Sequence, residues 1–502
     1  MYEWGINMNH QINRLIQYGL QHQLISKWDQ DYSINLLLDL FQLEDFQKET
    51  ICEPLERCDD ILNHMLDYAC LHGIINDTVT ERDLFDTRIM NCLMPRPSEV
   101  INQFNQLYLH SPREATQYFY HLSLSSHYIR KERIEKNISF KRFSQYSEFE
   151  ITINLSKPEK DPKEIAKMKN VKSRGYPKCL LCKENVGYAG RMNHPARQNH
   201  RIIPVELDHS QYYLQYSPYV YYNEHCIVFN ESHIPMVINK ETFKKLLSFV
   251  EQFPHYMLGS NADLPIVGGS ILSHDHFQGG CHHFPIEKAE IIKTIHQDAF
   301  PQLKIEIVKW PLSTIRLTSK NKEDVIEYSD KILSNWIHYS NPSLQILAYS
   351  DQTRHNTVTP IARMVNGEYQ MDIVLRNNRT NEQYPDGIFH PHQNLHHIKK
   401  ENIGLIEVMG LAVLPARLKN ELTLLKDCLL GNKNIDEIDE IKKHKSWYVQ
   451  LKNQYQMSKT NVDEILSQEL TNKYVQVLED AGVFKMNDEG IGAFVSFVEN
   501  IE

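Results

Sequence analysis

Apolar positions along the chain change their period more than once. Residues 1 to about 135 carry helical spacing, as in Ile12, Leu15, Ile16 and Leu20. Two helix starts stand out there. Thr80 precedes Glu81-Arg82-Asp83-Leu84-Phe85. In Ser111-Pro112-Arg113-Glu114, Ser caps, Pro takes the first helical position and Glu reaches back. Near residue 145 the period falls to two, and Phe149-Glu150-Ile151-Thr152-Ile153-Asn154-Leu155 predicts a half-buried strand. Asp161-Pro162-Lys163-Glu164 predicts another helix start. Residues 212–222 and His225-Cys226-Ile227-Val228-Phe229 read as strands, and Phe243, Leu246, Leu247 and Val250 as one face of a helix. Further strands are expected over 303–307, over the run with Leu344, Ile346 and Ala348, and over 369–376. The tail from about 433 is charged and helical. This order predicts an α+β protein in three parts: a helical region 1–140, an α+β unit 141–290, and a second α+β unit 291–502 ending in helices.

Composition narrows the class. With 502 residues the chain can bury a large core. Lys and Arg number 54 against 64 Asp and Glu, a net charge of −10, which argues against a nucleic-acid partner. No apolar run is long enough to span a bilayer, so no membrane partner is expected. Met1-Tyr2-Glu3-Trp4 lacks the features of a signal peptide. The 9 cysteines are scattered and odd in number, which fits a reducing compartment better than a disulfide framework. The expectation is a cytoplasmic protein.

The candidate chemistry centres on Gly268-Gly269-Ser270-Ile271-Leu272-Ser273-His274-Asp275-His276-Phe277-Gln278-Gly279-Gly280. On an extended strand His274, His276 and Gln278 would share one face, with Asp275 and Phe277 on the other. The bracketing glycines permit close backbone approach to a phosphate. His276 is the candidate nucleophile: a neutral imidazole nitrogen attacking phosphorus splits one displacement into two. Gln278 can hydrogen-bond a phosphoryl oxygen but cannot do acid–base work, which favours transfer over hydrolysis. Cys179-Leu180-Leu181-Cys182 is half of a tetrahedral zinc site, with His233 and His274 as candidate partners. A second histidine-rich segment, Phe389-His390-Pro391-His392-Gln393-Asn394-Leu395-His396-His397, lacks the glycine-rich lead-in and reads as a substrate or metal contact.

Three stretches carry a family resemblance: Gly190-Arg191-Met192-Asn193-His194-Pro195-Ala196-Arg197-Gln198-Asn199, Gln215-Tyr216-Ser217-Pro218-Tyr219-Val220-Tyr221-Tyr222-Asn223-Glu224-His225, and the segment 268–280. The chain resembles the bacterial class II branch of the galactose-1-phosphate uridylyltransferases, relatives of the histidine-triad superfamily. The resemblance implies an antiparallel half-barrel of two histidine-triad-like halves, to which the N-terminal helices would be an addition, and a homodimer. It implies ping-pong transfer of uridylyl from UDP-glucose to galactose 1-phosphate through a uridylyl-histidine at His276. Gln278 and Ser270 would contact phosphates, Arg191 and Asn193 the nucleotide, and His355, Arg376 and Asn378 the sugar phosphate. Structural zinc would sit on Cys179, Cys182, His233 and His274. Asp275 departs from the Pro of the better-known branch, a change expected to affect backbone rigidity more than chemistry. The rival readings are a dinucleotide phosphorylase or nucleotide hydrolase of the same superfamily, and a zinc-stabilised binding module with a dead site.

Overall fold

The computed structural model describes residues 7–156, 175–269 and 271–501. Ser270 and the helix start expected at Asp161 lie outside the described residues. Helices Met8–Gln21, Gln30–Phe41, Asp59–Leu71, Val79–Asn91, Pro97–Tyr108 and Pro112–Ser125 fill the first part of the chain. Ser111 caps the last of these, its side chain accepting from the Glu114 N–H. The helix expected at Thr80 begins at Val79 instead. Thr78, in extended backbone, is its cap and accepts from Glu81.

The centre is one open, ten-stranded antiparallel sheet. In spatial order its strands are Ile203–Leu207, Ser210–Tyr216, Cys226–Asn230, His276–Gly280, Met257–Gly259, Asn356–Val365, Glu368–Asn377, Thr314–Ser319, Lys304–Val308 and Ile291–Ile295. Each half of the sheet is built the same way. Three strands meander, a helix crosses (Lys240–Gln252 in one half, Lys322–His338 in the other), and the last strand inserts beside the third. The halves meet where Met257–Gly259 pairs with residues 361–363. This is the duplicated antiparallel architecture that the resemblance implies.

Alternation along the strands sorts side chains between two cores. Leu258, Phe277, Val358, Met371, Ile373 and Leu375 join the core beneath the N-terminal helices and the two crossing helices. Met257, Ile361 and Val374 join the opposite core. That second core is covered by Leu418–Leu429, Lys445–Gln454 and Val462–Ala481, and by a small sheet in which Glu148–Ile153 pairs antiparallel with Ile138–Phe143 and parallel with Leu411–Leu414. The N-terminal helices are pinned to the sheet by polar contacts as well. The Tyr128 hydroxyl donates to the Tyr216 carbonyl at 3.1 Å, and the Tyr216 hydroxyl to the Thr116 carbonyl at 2.9 Å.

Three strand expectations fail in whole or in part. The strand expected over 212–222 ends at Tyr216, ahead of Pro218. The run with Leu344, Ile346 and Ala348 makes a short 3-10 turn, Pro342–Leu344, because Pro342 starts the turn and Gln345 takes a left-handed φ of 61°. Ile346 and Ala348 are nevertheless buried. The strand expected over 268–280 begins only at His276. Among the described residues, no helix is long and apolar enough to cross a membrane.

Candidate functional site

The strand His276–Gly280 is the fourth of five in its half of the sheet, between Cys226–Asn230 and Met257–Gly259. Close packing at this point demands glycine: a Cβ on Gly279 would come 2.4 Å from the Met257 carbonyl oxygen. Phe277 points into the core under the helices, stacked on Tyr212, so His276 and Gln278 point to the other face.

His274 and His276 do not share a face as an extended strand would require. His274 lies in the turn before the strand and swings toward the cysteines. Its Nδ1 is 3.2 Å from Cys179 Sγ and 3.8 Å from Cys182 Sγ. Cys182 Sγ lies 3.3 Å from His233 Nδ1, and the two sulfurs are 3.5 Å apart. All four donor atoms fall within 4.8 Å of one another. This two-thiol, two-imidazole set could hold a metal ion with tetrahedral preference. The outer contacts agree. His274 Nε2–H donates to the Asn230 carbonyl at 2.8 Å, which leaves the Nδ1 lone pair facing the sulfurs. Burial pushes the Cys179 thiol up, but hydrogen bonds from His274 and the Leu181 N–H outweigh it and bring it below its ordinary range.

Asp275 links this cluster to the strand. Its carboxylate accepts the Tyr212 hydroxyl at 2.5 Å and the Asn230 amide at 3.4 Å. Its backbone N–H donates to Ile234, and its carbonyl accepts from Asn230. The side chain is therefore turned away from His276 and braces the turn.

His276 is 5% exposed. Its Nδ1–H donates to the His274 carbonyl at 2.8 Å, so the other ring nitrogen, Nε2, carries the lone pair. Burial lowers its pKa, which keeps the ring neutral at pH 7. Gln278 Oε1 lies 3.3 Å from His225 Nε2. Asn261 follows two residues after Gly259, whose pairing with Gln278 is the last of that seam. Its Oδ1 accepts the Leu405 N–H at 2.9 Å, while its Nδ2 faces Gly269, where a Cβ would come within 2.8 Å of it. Glycine at 269 thus lets the loop reach the Asn261 amide.

The other expected contacts sit elsewhere. Arg191 Nε donates to Asn193 Oδ1 at 2.9 Å, and its Nη1 to the Tyr188 hydroxyl and the Tyr176 carbonyl, so these two residues brace their own loop. His355 Nδ1 and Asn378 Oδ1 are 2.9 Å apart. Arg376 is 1% exposed and bonds the Ile403 carbonyl and Thr359. Burial lowers its pKa to about 10. Arg376 Nε and His355 Nε2 are buried with no partner among the described residues. The histidines of the second rich segment are tied to protein: His390 to Asn402, His392 to the Ile388 carbonyl and Asp480, His396 to the Pro391 carbonyl.

Sequence reasoning gave no role to Asn261 or His225. His225 stood inside a quoted signature stretch, and its place at the start of a strand beside the nucleophile's strand was the available signal. Asn261 had none, because its contact with Gly269 depends on the return of the chain after a turn.

Comparison with known proteins gives the family. Residues 23–235 match the model for the N-terminal domain of galactose-1-phosphate uridyl transferase, and residues 248–448 match that for its C-terminal domain. The chain is 56% identical over 493 residues to the galactose-1-phosphate uridylyltransferase of Clostridium acetobutylicum, covering 98% of this chain and 99% of that one. It is 53% identical over 502 residues to that of Caldanaerobacter subterraneus, covering 97% of each. For Bacillus subtilis the identity is 48% over 497 residues, covering 98% of this chain and 97% of the relative. Among solved structures, yeast Ap4A phosphorylase Apa2 aligns with 60% of this chain and 91% of its own at 12% identity and a TM-score of 0.32, too weak a likeness to bear on the fold. With both domain models matched in order and relatives of this identity spanning nearly the whole chain, the protein belongs to the galactose-1-phosphate uridylyltransferase family.

Proposed function

We propose that the protein moves the uridylyl group of UDP-glucose onto galactose 1-phosphate, giving UDP-galactose and glucose 1-phosphate. The observation that carries the chemistry is the locked tautomer of His276, with Nδ1–H held by the His274 carbonyl and Nε2 left as the nucleophile. Nε2 attacks the α-phosphorus of UDP-glucose. The N–P bond forms, the bridging P–O bond breaks, and glucose 1-phosphate departs with the electron pair. A phosphate oxygen of galactose 1-phosphate then attacks the same phosphorus, and His276 leaves. Neither leaving group, the phosphate of glucose 1-phosphate in the first step nor the neutral imidazole of His276 in the second, needs a proton, so the site needs no general acid. Gln278 fits that demand, since it can steady a phosphoryl oxygen but cannot activate water. The Nδ2 of Asn261 is a second donor for the same oxygens.

We assign Ser270 to phosphate contact, Arg191 and Asn193 to the nucleotide, and His355, Arg376 and Asn378 to the sugar phosphate. The unpartnered Nε–H of Arg376 favours that last role, because a buried donor without an acceptor is costly. On this reading 141–290 carries the nucleophile, 291–502 supplies the matching half and helical tail, and 1–140 is the helical addition. The family resemblance supports a homodimer and a cytoplasmic setting. The test is to mix the protein with UDP-glucose alone. Mass spectrometry is expected to find a stable uridylyl adduct on His276. Steady release of UMP without an adduct would make the protein a hydrolase.

The cluster of Cys179, Cys182, His233 and His274 suits zinc, which would anchor the turn before the nucleophile without touching substrate. Prolonged chelation is expected to lower the thermal midpoint and the activity together, with zinc restoring both. A chelated, metal-free protein that keeps full activity and stability would remove the metal from this account.

A further inference from the structure

We infer that His225 is a positioning residue that sets the polarity of the Gln278 amide. This deepens the uridylyl-transfer reading above and rests on it. A glutamine amide can turn over at little cost, because its last torsion is broad and roughly two-fold. The two orientations differ sharply toward a phosphoryl group: the NH2 end attracts the anionic oxygens and the carbonyl end repels them. Something must choose between them.

His225 is placed to choose. It immediately precedes the strand Cys226–Asn230, which pairs with the nucleophile's strand through Cys226 and Gly279. The imidazole is 2% exposed, and its Nε2 is 3.3 Å from Gln278 Oε1. Its backbone is held on both sides, with its N–H donating to the Tyr222 carbonyl and its carbonyl accepting from Ser217. The rings of Tyr222 and Tyr221 flank it at 4.5 and 5.6 Å. The Tyr222 hydroxyl bonds the Gly279 carbonyl at 3.0 Å, which fixes the neighbouring strand residue.

The tautomer follows from the unpartnered atom. His225 Nδ1 is buried with no hydrogen-bond partner among the described residues. If Gln278 turned its NH2 toward His225, the ring would have to accept at Nε2 and carry its proton on Nδ1, leaving a buried N–H unsatisfied. With Nε2–H donating to Gln278 Oε1, only a lone pair is left over. Buried orphan N–H groups are rarer than under-satisfied acceptors, so the second arrangement is preferred. Burial lowers the His225 pKa to about 4, in keeping with a neutral ring that has a single proton to place. The amide NH2 of Gln278 is thereby turned away from His225, on the face of the strand that carries His276.

The test is a double-mutant cycle between His225→Phe and Gln278→Ala, read as kcat/KM for UDP-galactose formation and as the rate of uridylyl-enzyme formation in a single turnover. His225→Phe keeps the aromatic volume and removes the donor. It is expected to lower kcat on the order of 10²-fold, the scale of a misplaced catalytic contact. In the Gln278→Ala background the same change is expected to have almost no further effect. His225→Gln, which restores an N–H donor, should recover part of the rate. Equal losses from His225→Phe in both backgrounds would overturn the inference, as would a folded His225→Phe protein with unchanged kcat. Should His225→Phe fail to fold, His225→Leu, which also removes the donor, run through the same cycle decides, with equal losses in both backgrounds again overturning it. Failure of the wild-type protein to form a uridylyl-histidine would instead strike the underlying function.

Discussion

Replacing His276 by glycine is expected to remove uridylyl transfer while leaving the protein folded. Deleting a covalent nucleophile removes the step that divides the reaction in two, and no neighbouring group can substitute. Gln278 and Asn261 are amides, and His274 points at the sulfurs with its second nitrogen held by the Asn230 carbonyl. The expected fall in kcat is on the order of 10⁴- to 10⁶-fold, as for nucleophile deletions in other covalent enzymes. That corresponds to about 5–8 kcal/mol of barrier. The structural cost is small by comparison. Glycine gives up one hydrogen bond to a backbone carbonyl, about 1 kcal/mol, and some packing. Activity and thermal midpoint should therefore separate. UDP-galactose formation near the wild-type rate by a folded His276→Gly protein would exclude His276 as the nucleophile.

Asp372→Ala should show the converse, a large loss of stability from a residue with no chemical role. Asp372 is fully buried on the strand Glu368–Asn377. Arg316 grips it with two hydrogen bonds, Nε to Oδ1 at 2.7 Å and Nη2 to Oδ2 at 3.0 Å, and Arg363 adds Nη2 to Oδ2 at 2.5 Å. Burial alone would raise the Asp372 pKa, but the two guanidinium groups hold it below the usual carboxylate range. A carboxylate whose pKa is lower folded than unfolded stabilises the fold above the unfolded value, so its whole contribution is present at pH 7. Alanine leaves two buried cations facing one another without their anion, a change that costs about 3–5 kcal/mol. For a chain of this length that amounts to about 3–5 °C in the unfolding midpoint, measurable by scanning calorimetry. An unchanged midpoint would mean that water reaches the arginines. The rate of uridylyl-enzyme formation in the folded fraction should stay close to wild type.

The sequence discloses local structure well and cross-chain structure poorly. The Ser111-Pro112 cap and the 3.6 period at Phe243, Leu246, Leu247 and Val250 report on contacts within a few residues, and both were readable. The metal cluster was readable in part because Cys179 and Cys182 lie three apart. His233 and His274 could be named only as candidate partners until the family resemblance assigned them, since their approach depends on how three separate segments converge. The alternation of His274, His276 and Gln278 was misleading for a physical reason. Period two describes an ideal strand, but Asp275 is held by Tyr212 and Asn230, and the strand cannot begin until His276. That early turn sends the two histidines to different surroundings. Asn261 and His225 escaped notice because each acts through a partner on an adjacent strand or a distant turn, at separations that no local pattern encodes.

The seam between the halves bears on how the chain is made. Met257–Gly259 is three residues long and waits for residues 361–363, about a hundred positions later. During synthesis the first half can complete its own pairing, including the strand that carries His276, while the middle of the future sheet is still an open edge. Open edges invite pairing with the wrong chain, and brevity is one way proteins discourage it. The small size of the joining strand is thus a safeguard for the interval before its partner leaves the ribosome.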